Sequence, residues 1–472
     1  MPDVAIATPN EAAADAGEQV ARAGGNAVDA ALAASLVTMV NEVGLVSLSS
    51  GGFVTVQPPD AAAYTVDGWM DMPGRGRQLG GGTWDIHTEY GGGVDITIGP
   101  GSVAAHGSLA AFEEAHRRDG RIPWRDVVAP ALDVARGGFR LSAASRYYLD
   151  YVHDSIFGWD ETSRAAVHDE QGEVTTELVV LPDLARSLEL IAAEGAATLH
   201  TGALAELIAT DVLDRGGILG NEDLAAYHPV VRPSLATTVG DWTLATTPTP
   251  SVGGEGVAEM LRLLDGRPRD SWTDADIEHL VAVQREVLGR GPGALRESGS
   301  TAHCSATDTD GRACAVTVSS GYFSGMIARG TGIWLNNTLG EQELNPGGLH
   351  ALAPGTRLLS NMAPTVGRHA DGSVLAIGSP GAGRIATAVA QVLAGFVGGL
   401  GLQEAVHHPR VHVHHAGRAD EVVKREADEG LSMYYGGVGA ALVHPDRHLV
   451  AAADPRREGA VRLVRATELP HP

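Results

Sequence analysis

Cysteine and lysine are almost missing from this 472-residue chain. Two cysteines cannot build a disulfide scaffold. Lys424 is the only lysine, which all but removes Schiff-base chemistry and a P-loop lysine. Positive charge is also short. The 34 basic residues face 58 acidic ones, a formal charge of −24. That balance argues against a nucleic-acid backbone or an anionic membrane as the main partner. Long apolar runs are absent too. The longest, Ala30 to Val40, falls far below the roughly 20 residues that span a bilayer. The opening stretch has neither the basic region nor the apolar core of a secretory signal. A cytoplasmic protein is the expectation.

What is present fits a large globular fold. Hydrophobic residues make up 44%, and 61 glycines with 24 prolines predict many tight turns. Residues 11–40 read as two helices split at Gly24-Gly25-Asn26. Further helices are predicted near 103–118, 124–137, 181–195, 201–215, 254–264 and 383–399. Strands are predicted over 52–68, 301–340, 356–379 and 437–465. A loop is predicted around Trp84, and the polar segment 266–300 reads as an exposed connection. Helices outside and antiparallel strands inside make a layered arrangement.

Residues 301–319, TAHCSATDTDGRACAVTVS, read as a hairpin. A two-residue Asp-Gly turn would pair Thr301 with Ser320. A three-residue loop at Thr309-Asp310-Gly311, with Gly311 left-handed, would pair Thr301 with Ser319. Even positions from Ala302 to Val318 are apolar, and odd positions are mostly hydroxyl-bearing. Only the three-residue loop sets even opposite even, giving one apolar and one hydroxyl-rich face. Cys304 and Cys314 then become diagonal neighbours, too far apart for an easy disulfide. A hydroxyl row also suits a hairpin with one wet face. Threonine becomes a nucleophile only with a base in reach, and its own α-amine, freed by chain cleavage, is one such base.

With these residues in view, the sequence resembles the γ-glutamyltranspeptidase family of N-terminal-nucleophile hydrolases. The resemblance rests on Thr301-Ala302-His303-Cys304-Ser305 with Asp308 and Gly311, and on Gly24 to Ala31 and Gly99 to Val103. Gly332 to Asn337, Gly378 to Gly381, Pro409 to His412 and Asp454 to Arg457 extend it. It implies an α+β fold, a four-layer αββα sandwich. It also implies self-cleavage between Ser300 and Thr301 into segments 1–300 and 301–472, which stay associated as one intertwined domain. Thr301 would be the nucleophile, Ser319 the hydroxyl that orients it, and Gly381 with Ala382 the oxyanion amides.

The substrate-facing positions depart from the family pattern. Trp69 stands where the family carries an arginine for the substrate carboxylate, and Trp cannot make a bidentate clamp. Gly321, Thr338, Glu341, Ser360 and Asn361 occupy the other pocket positions, and His303 is read as pocket-shaping. A threonine hydrolase with non-standard acyl specificity, acting on a small molecule, is the expectation. Three readings stand beside it. One is a C–C bond hydrolase like those of alkyl-proline antibiotic biosynthesis. Another is a true γ-glutamyl enzyme with Arg75, Arg77 or Arg357 replacing the clamp, and the third a silent binding protein. No cofactor and no metal are expected, although His407, His408, His412, His414 and His415 cluster in sequence. Gly378 to Arg384 lacks the residues of a nucleotide loop.

Overall fold

The computed structural model describes residues 1–78, 80–90, 93–264, 273–289, 300–342, 344–345, 347–426 and 436–466. The two helices at the start form where their caps dictate. Asn10 accepts from the Ala13 amide to open Glu11–Arg22. Asn26 and Asp29 form a reciprocal capping box on Ala27–Asn41. Every residue of Ala27–Asn41 is buried, as apolar residues on all sides of the helix require.

Two antiparallel sheets lie at the centre. The first orders Ala460–Val464, Val4–Thr8, Ser300–Asp308, Ala313–Gly321, Gly51–Gln57, Tyr64–Gly68 and Val230–Pro233. The second orders Leu449–Ala453, Gly439–Val443, Val374–Gly378, Thr365–His369, Trp242–Thr246 and Leu235–Val239. Each sheet contains strands from both sides of Ser300. One apolar cluster joins the early helices to the even face of the hairpin, including Cys304, Val316 and Val318. Another joins helices Val252–Leu264 and Ile385–Val397 to the outer face of the second sheet. Between the sheets, small side chains such as Ala5, Ala313, Ala315, Ala376 and Ala441 allow close approach. Helix, sheet, sheet and helix make the αββα sandwich.

The hairpin has the register set by its side-chain pattern. Ser319 lies opposite Thr301, Thr317 opposite His303, and Val316 opposite Cys304. Gly311 has φ +87° at the turn. Asp308 closes that turn by accepting from the Asp310 and Arg312 amides, and its other oxygen takes the Ala27 amide at 3.0 Å. One carboxylate therefore ties the loop to the start of the second helix. Both cysteines are free and buried.

Several expectations are corrected. The hydroxyl face of the hairpin is not wet, because the second sheet covers it and every residue of both strands is buried. Trp84 begins a strand rather than a loop, paired with Val94–Ile98. The segment 266–300 is not simply a connection. Asp274–Gly289 is a helix that buries Leu280, Val281, Val283 and Leu288, while 265–272 and 290–299 lie outside the described residues. Helices Ala143–Val152 and Glu161–Val167 were not foreseen. Among the described residues, no helix is long and apolar enough to cross a membrane, and no group of His, Cys, Asp and Glu is arranged to hold a metal.

Candidate active site

Thr301 sits on the central strand pair with 2% of its surface exposed. Ser319 Oγ donates to the Ser300 carbonyl oxygen at 2.7 Å and accepts from the Gly321 amide at 3.1 Å. A bulge between Ser319 and Gly321 bends the strand so that Gly321 faces Ser300. Gly321 has φ +68°, and a Cβ there would lie 2.4 Å from Asn337 Oδ1 and 3.0 Å from Glu341 Oε1. Only glycine fits. The bulge thus brings Gly321, Asn337 and Glu341 beside the Ser300–Thr301 bond.

His303 lies one strand step further between the sheets. Its Nδ1 meets Thr317 Oγ1 at 2.8 Å and its Nε2 meets Ser305 Oγ at 2.7 Å. Ser305 spends its single proton on the Gly439 carbonyl, so Nε2 is the nitrogen that donates. Burial pushes the imidazole down to about 3, and it stays neutral. With both nitrogens engaged, His303 braces the hydroxyl face.

Two different walls flank the row of Thr301 and Ser319. Gly51 lies opposite Ser319 and so shares the face of Thr301, two strands and roughly 10 Å away. A Cβ on Gly51 would fall 2.8 Å from Trp69 Cε3 and 2.9 Å from Met70 Cγ. The missing side chain leaves the room that the indole takes. Trp69 stacks on Phe53 at 6.3 Å between centroids, and its Nε1 donates to the Leu359 carbonyl at 2.8 Å.

Arg357 lies behind this wall and is fully occupied. Nη1 donates to the Trp69 carbonyl and the Tyr227 hydroxyl, both at 2.6 Å, and Nη2 to the His228 carbonyl. Nε pairs with Asp71 at 2.9 Å. Burial lifts the Asp71 carboxyl to about 6, with Arg357 opposing. The Arg75 guanidinium packs on Gly355 and that of Arg77 on Gly220.

On the other side, a cavity of about 10 Å³ is lined by Thr301, Glu42, Pro380, Val438, Asp454 and Arg457. Asp454 is bound by Arg410, and Arg456 Nη1 reaches both its oxygens at 3.1 and 3.2 Å. Arg410 also donates to the Gly436 carbonyl at 2.6 Å. Burial raises the Glu42 carboxyl, against hydrogen bonds from Asn10 and Ser142 and the nearby Arg457. Gly436 in turn backs Gly381, which has φ +117° and whose added Cβ would meet Gly436 Cα at 2.7 Å. Pro380 shares this cavity with Thr301, and Gly381 follows it, with Ala382 opening the short turn Ala382–Arg384.

The remaining predicted positions are placed as follows. Thr338 and Glu341 are buried around the short turn Thr338–Gly340. Ser360 Oγ accepts from the Met362 amide, and Asn361 is buried beside it, next to the Leu359 carbonyl that receives Trp69. The hairpin register had already set Ser319 beside Thr301. The role of Glu42 in the second wall had no sequence signal.

A buried threonine hairpin inside an αββα sandwich is the layout of the N-terminal-nucleophile hydrolase fold. The gamma-glutamyltranspeptidase family profile matches residues 13–288 and 283–464, and the chain belongs to that family. It is 28% identical to the glutathione hydrolase proenzyme of Escherichia coli K12, over 96% of this chain and 90% of that protein. It is 26% identical to the acylase ACY 1 proenzyme of Pseudomonas sp. V22, over 96% and 92%. In fold it matches the cephalosporin acylase structure from Bacillus halodurans with TM-score 0.78 at 20% identity, covering 98% of this chain and 96% of that one. The family membership makes this protein a hydrolase or acyltransferase.

Proposed function

We propose that this chain is a precursor that cuts itself between Ser300 and Thr301, then acts as an N-terminal threonine hydrolase on an amide-type acyl carbon. The observation that carries this is the 2.7 Å hydrogen bond from Ser319 Oγ to the Ser300 carbonyl, beside Thr301. That donor polarises the one carbonyl that Thr301 Oγ can reach through its own backbone, and it stabilises the oxyanion that forms. Attack by Oγ would break the Ser300–Thr301 amide as the nitrogen takes the proton, leaving an ester on Thr301. Water would then hydrolyse that ester, releasing the Ser300 carboxylate and restoring the Thr301 hydroxyl beside its free α-amine.

In the mature form, that amine takes the Thr301 hydroxyl proton as Oγ attacks a substrate acyl carbon. The leaving amine carries the proton away, and water or a second amine clears the acyl-enzyme. The Gly381 and Ala382 amides are the proposed oxyanion donors. Ala382 keeps the N–H that this role needs. The segments 1–300 and 301–472 would remain together through the interleaved sheets. Intact-mass measurement of the purified protein tests this. Two fragments of 300 and 172 residues, absent in Thr301→Ala, support the reading. A single chain after prolonged incubation contradicts it.

A further inference from the structure

We propose that the acyl site takes an uncharged, apolar acyl chain in preference to one ending in a carboxylate, with Trp69 as the residue that sets this choice. The inference rests on the acyl-enzyme reading above and adds the class of substrate. Three observations lead to it. First, Trp69 occupies the space over Gly51, on the face and in the row of Ser319 and Thr301. A chain of four or five carbons attached to Thr301 Oγ and running along that row ends against the indole, given the roughly 10 Å between Thr301 and Gly51. Second, the indole is held from behind. The ring stacks on Phe53 and its N–H is spent on the Leu359 carbonyl, while the Trp69 backbone carbonyl takes both Tyr227 Oη and Arg357 Nη1. The ring cannot swing aside without losing the stack and the Leu359 bond.

Third, among the described residues that wall offers no uncommitted cation to a carboxylate. Arg357 and Arg232 are committed to Asp67 and Asp71. A carboxylate pressed on the indole would lose its water and gain no counter-charge, whereas a branched alkyl end would gain the burial. Arg457 lies in the cavity on the opposite side of Thr301, where Glu42 and Asp454 answer its charge.

The test compares two amides of one shape. Glutaramate ends in a carboxylate and 5-methylhexanamide ends in an isopropyl group of the same outline. Their binding to the purified protein is measured by titration calorimetry, with intact mass read on the same samples. The expected result is about tenfold tighter binding of 5-methylhexanamide, the size of discrimination a shaped apolar pocket supplies. Trp69→Ala removes that preference, and Trp69→Phe, which keeps an apolar ring, retains it. Glutaramate binding as tightly or more tightly overturns the proposal. So does a preference that survives Trp69→Ala, or failure of both amides to bind. A chain that stays whole by mass contradicts the self-cleavage reading separately, whichever amide binds.

Discussion

The two walls beside Thr301 are built by opposite means. On the Gly51 side, Trp69, Phe53 and Met70 meet the Thr301–Ser319 row with uncharged side chains, and Arg357, among the described residues, lies a layer behind. On the Pro380 side, Glu42, Asp454 and Arg457 come to the cavity itself, with Arg410 and Arg456 bound to Asp454. The difference follows from what each wall holds. A ring packed over a glycine fills a shape, and it can be exchanged with little effect on the backbone around it. A buried charge network fixes backbone, because each arginine also grips a carbonyl, as Arg410 grips Gly436 and Arg456 grips His407 and His408. Such networks add little net stability, yet they are costly to break singly. The uncharged wall is therefore suited to choosing a substrate, and the charged wall to holding the Gly381 loop in place.

The largest expected effect comes from breaking the charged wall. Asp454→Ala strands Arg410 and Arg456 without their carboxylate. Urea unfolding should show a loss of about 3–5 kcal/mol. A change below about 1 kcal/mol would mean that the network holds nothing. Next is the donor between the walls. Ser319→Ala removes the hydrogen bond to the Ser300 carbonyl and should slow fragment appearance about 10²- to 10³-fold. Ser319→Thr should restore it. An unchanged rate in Ser319→Ala would take Ser319 out of the cleavage step.

Behind the uncharged wall, Tyr227→Phe deletes the hydroxyl that donates to Trp69 and accepts from Arg357. Bonds of this kind to a charged group are worth about 1.5–3 kcal/mol, read again by urea unfolding. The smallest effect is a pH dependence. His303 stays neutral in the fold down to about 3, while the unfolded chain protonates it near its ordinary 6.5. Between these values the unfolded state binds the extra proton. The stability His303 confers is therefore complete above about 6.5 and is lost as pH falls towards 3. The unfolding free energy of the native chain should fall between pH 6 and 5 by about 1.4 kcal/mol more than that of His303→Gln. Equal slopes would mean that His303 is already protonated in the fold.

Much of this was legible in the sequence, for physical reasons. The hairpin register followed from alternation, because a one-residue slip would have mixed the Cys304–Val316 face with the Thr301–Ser319 face. The first two helices followed from Asn10, Asn26 and the Gly24-Gly25 break. The burial of the hydroxyl face was not legible. Threonine and serine alternation looks the same against water as against a second sheet, and only the His303–Ser305–Gly439 chain of bonds shows which it is. Helix Asp274–Gly289 was missed because its charged outer face dominates the composition of its segment. Trp69 could be named from its place in a motif, but not the reason it fits, which is a glycine 18 residues earlier that leaves room for the indole. The charged wall was least legible, since Glu42 and Asp454 meet only through the fold.

Covalent trapping tests the account most directly. The purified protein is incubated with the p-nitrophenyl ester of 5-methylhexanoic acid, and the adduct is located by tandem mass spectrometry. The expected adduct is an acyl group on Thr301, at the start of a fragment running from 301 to 472, with little adduct from the glutaryl ester. An adduct at another residue, or a glutaryl adduct that forms as fast, would contradict it.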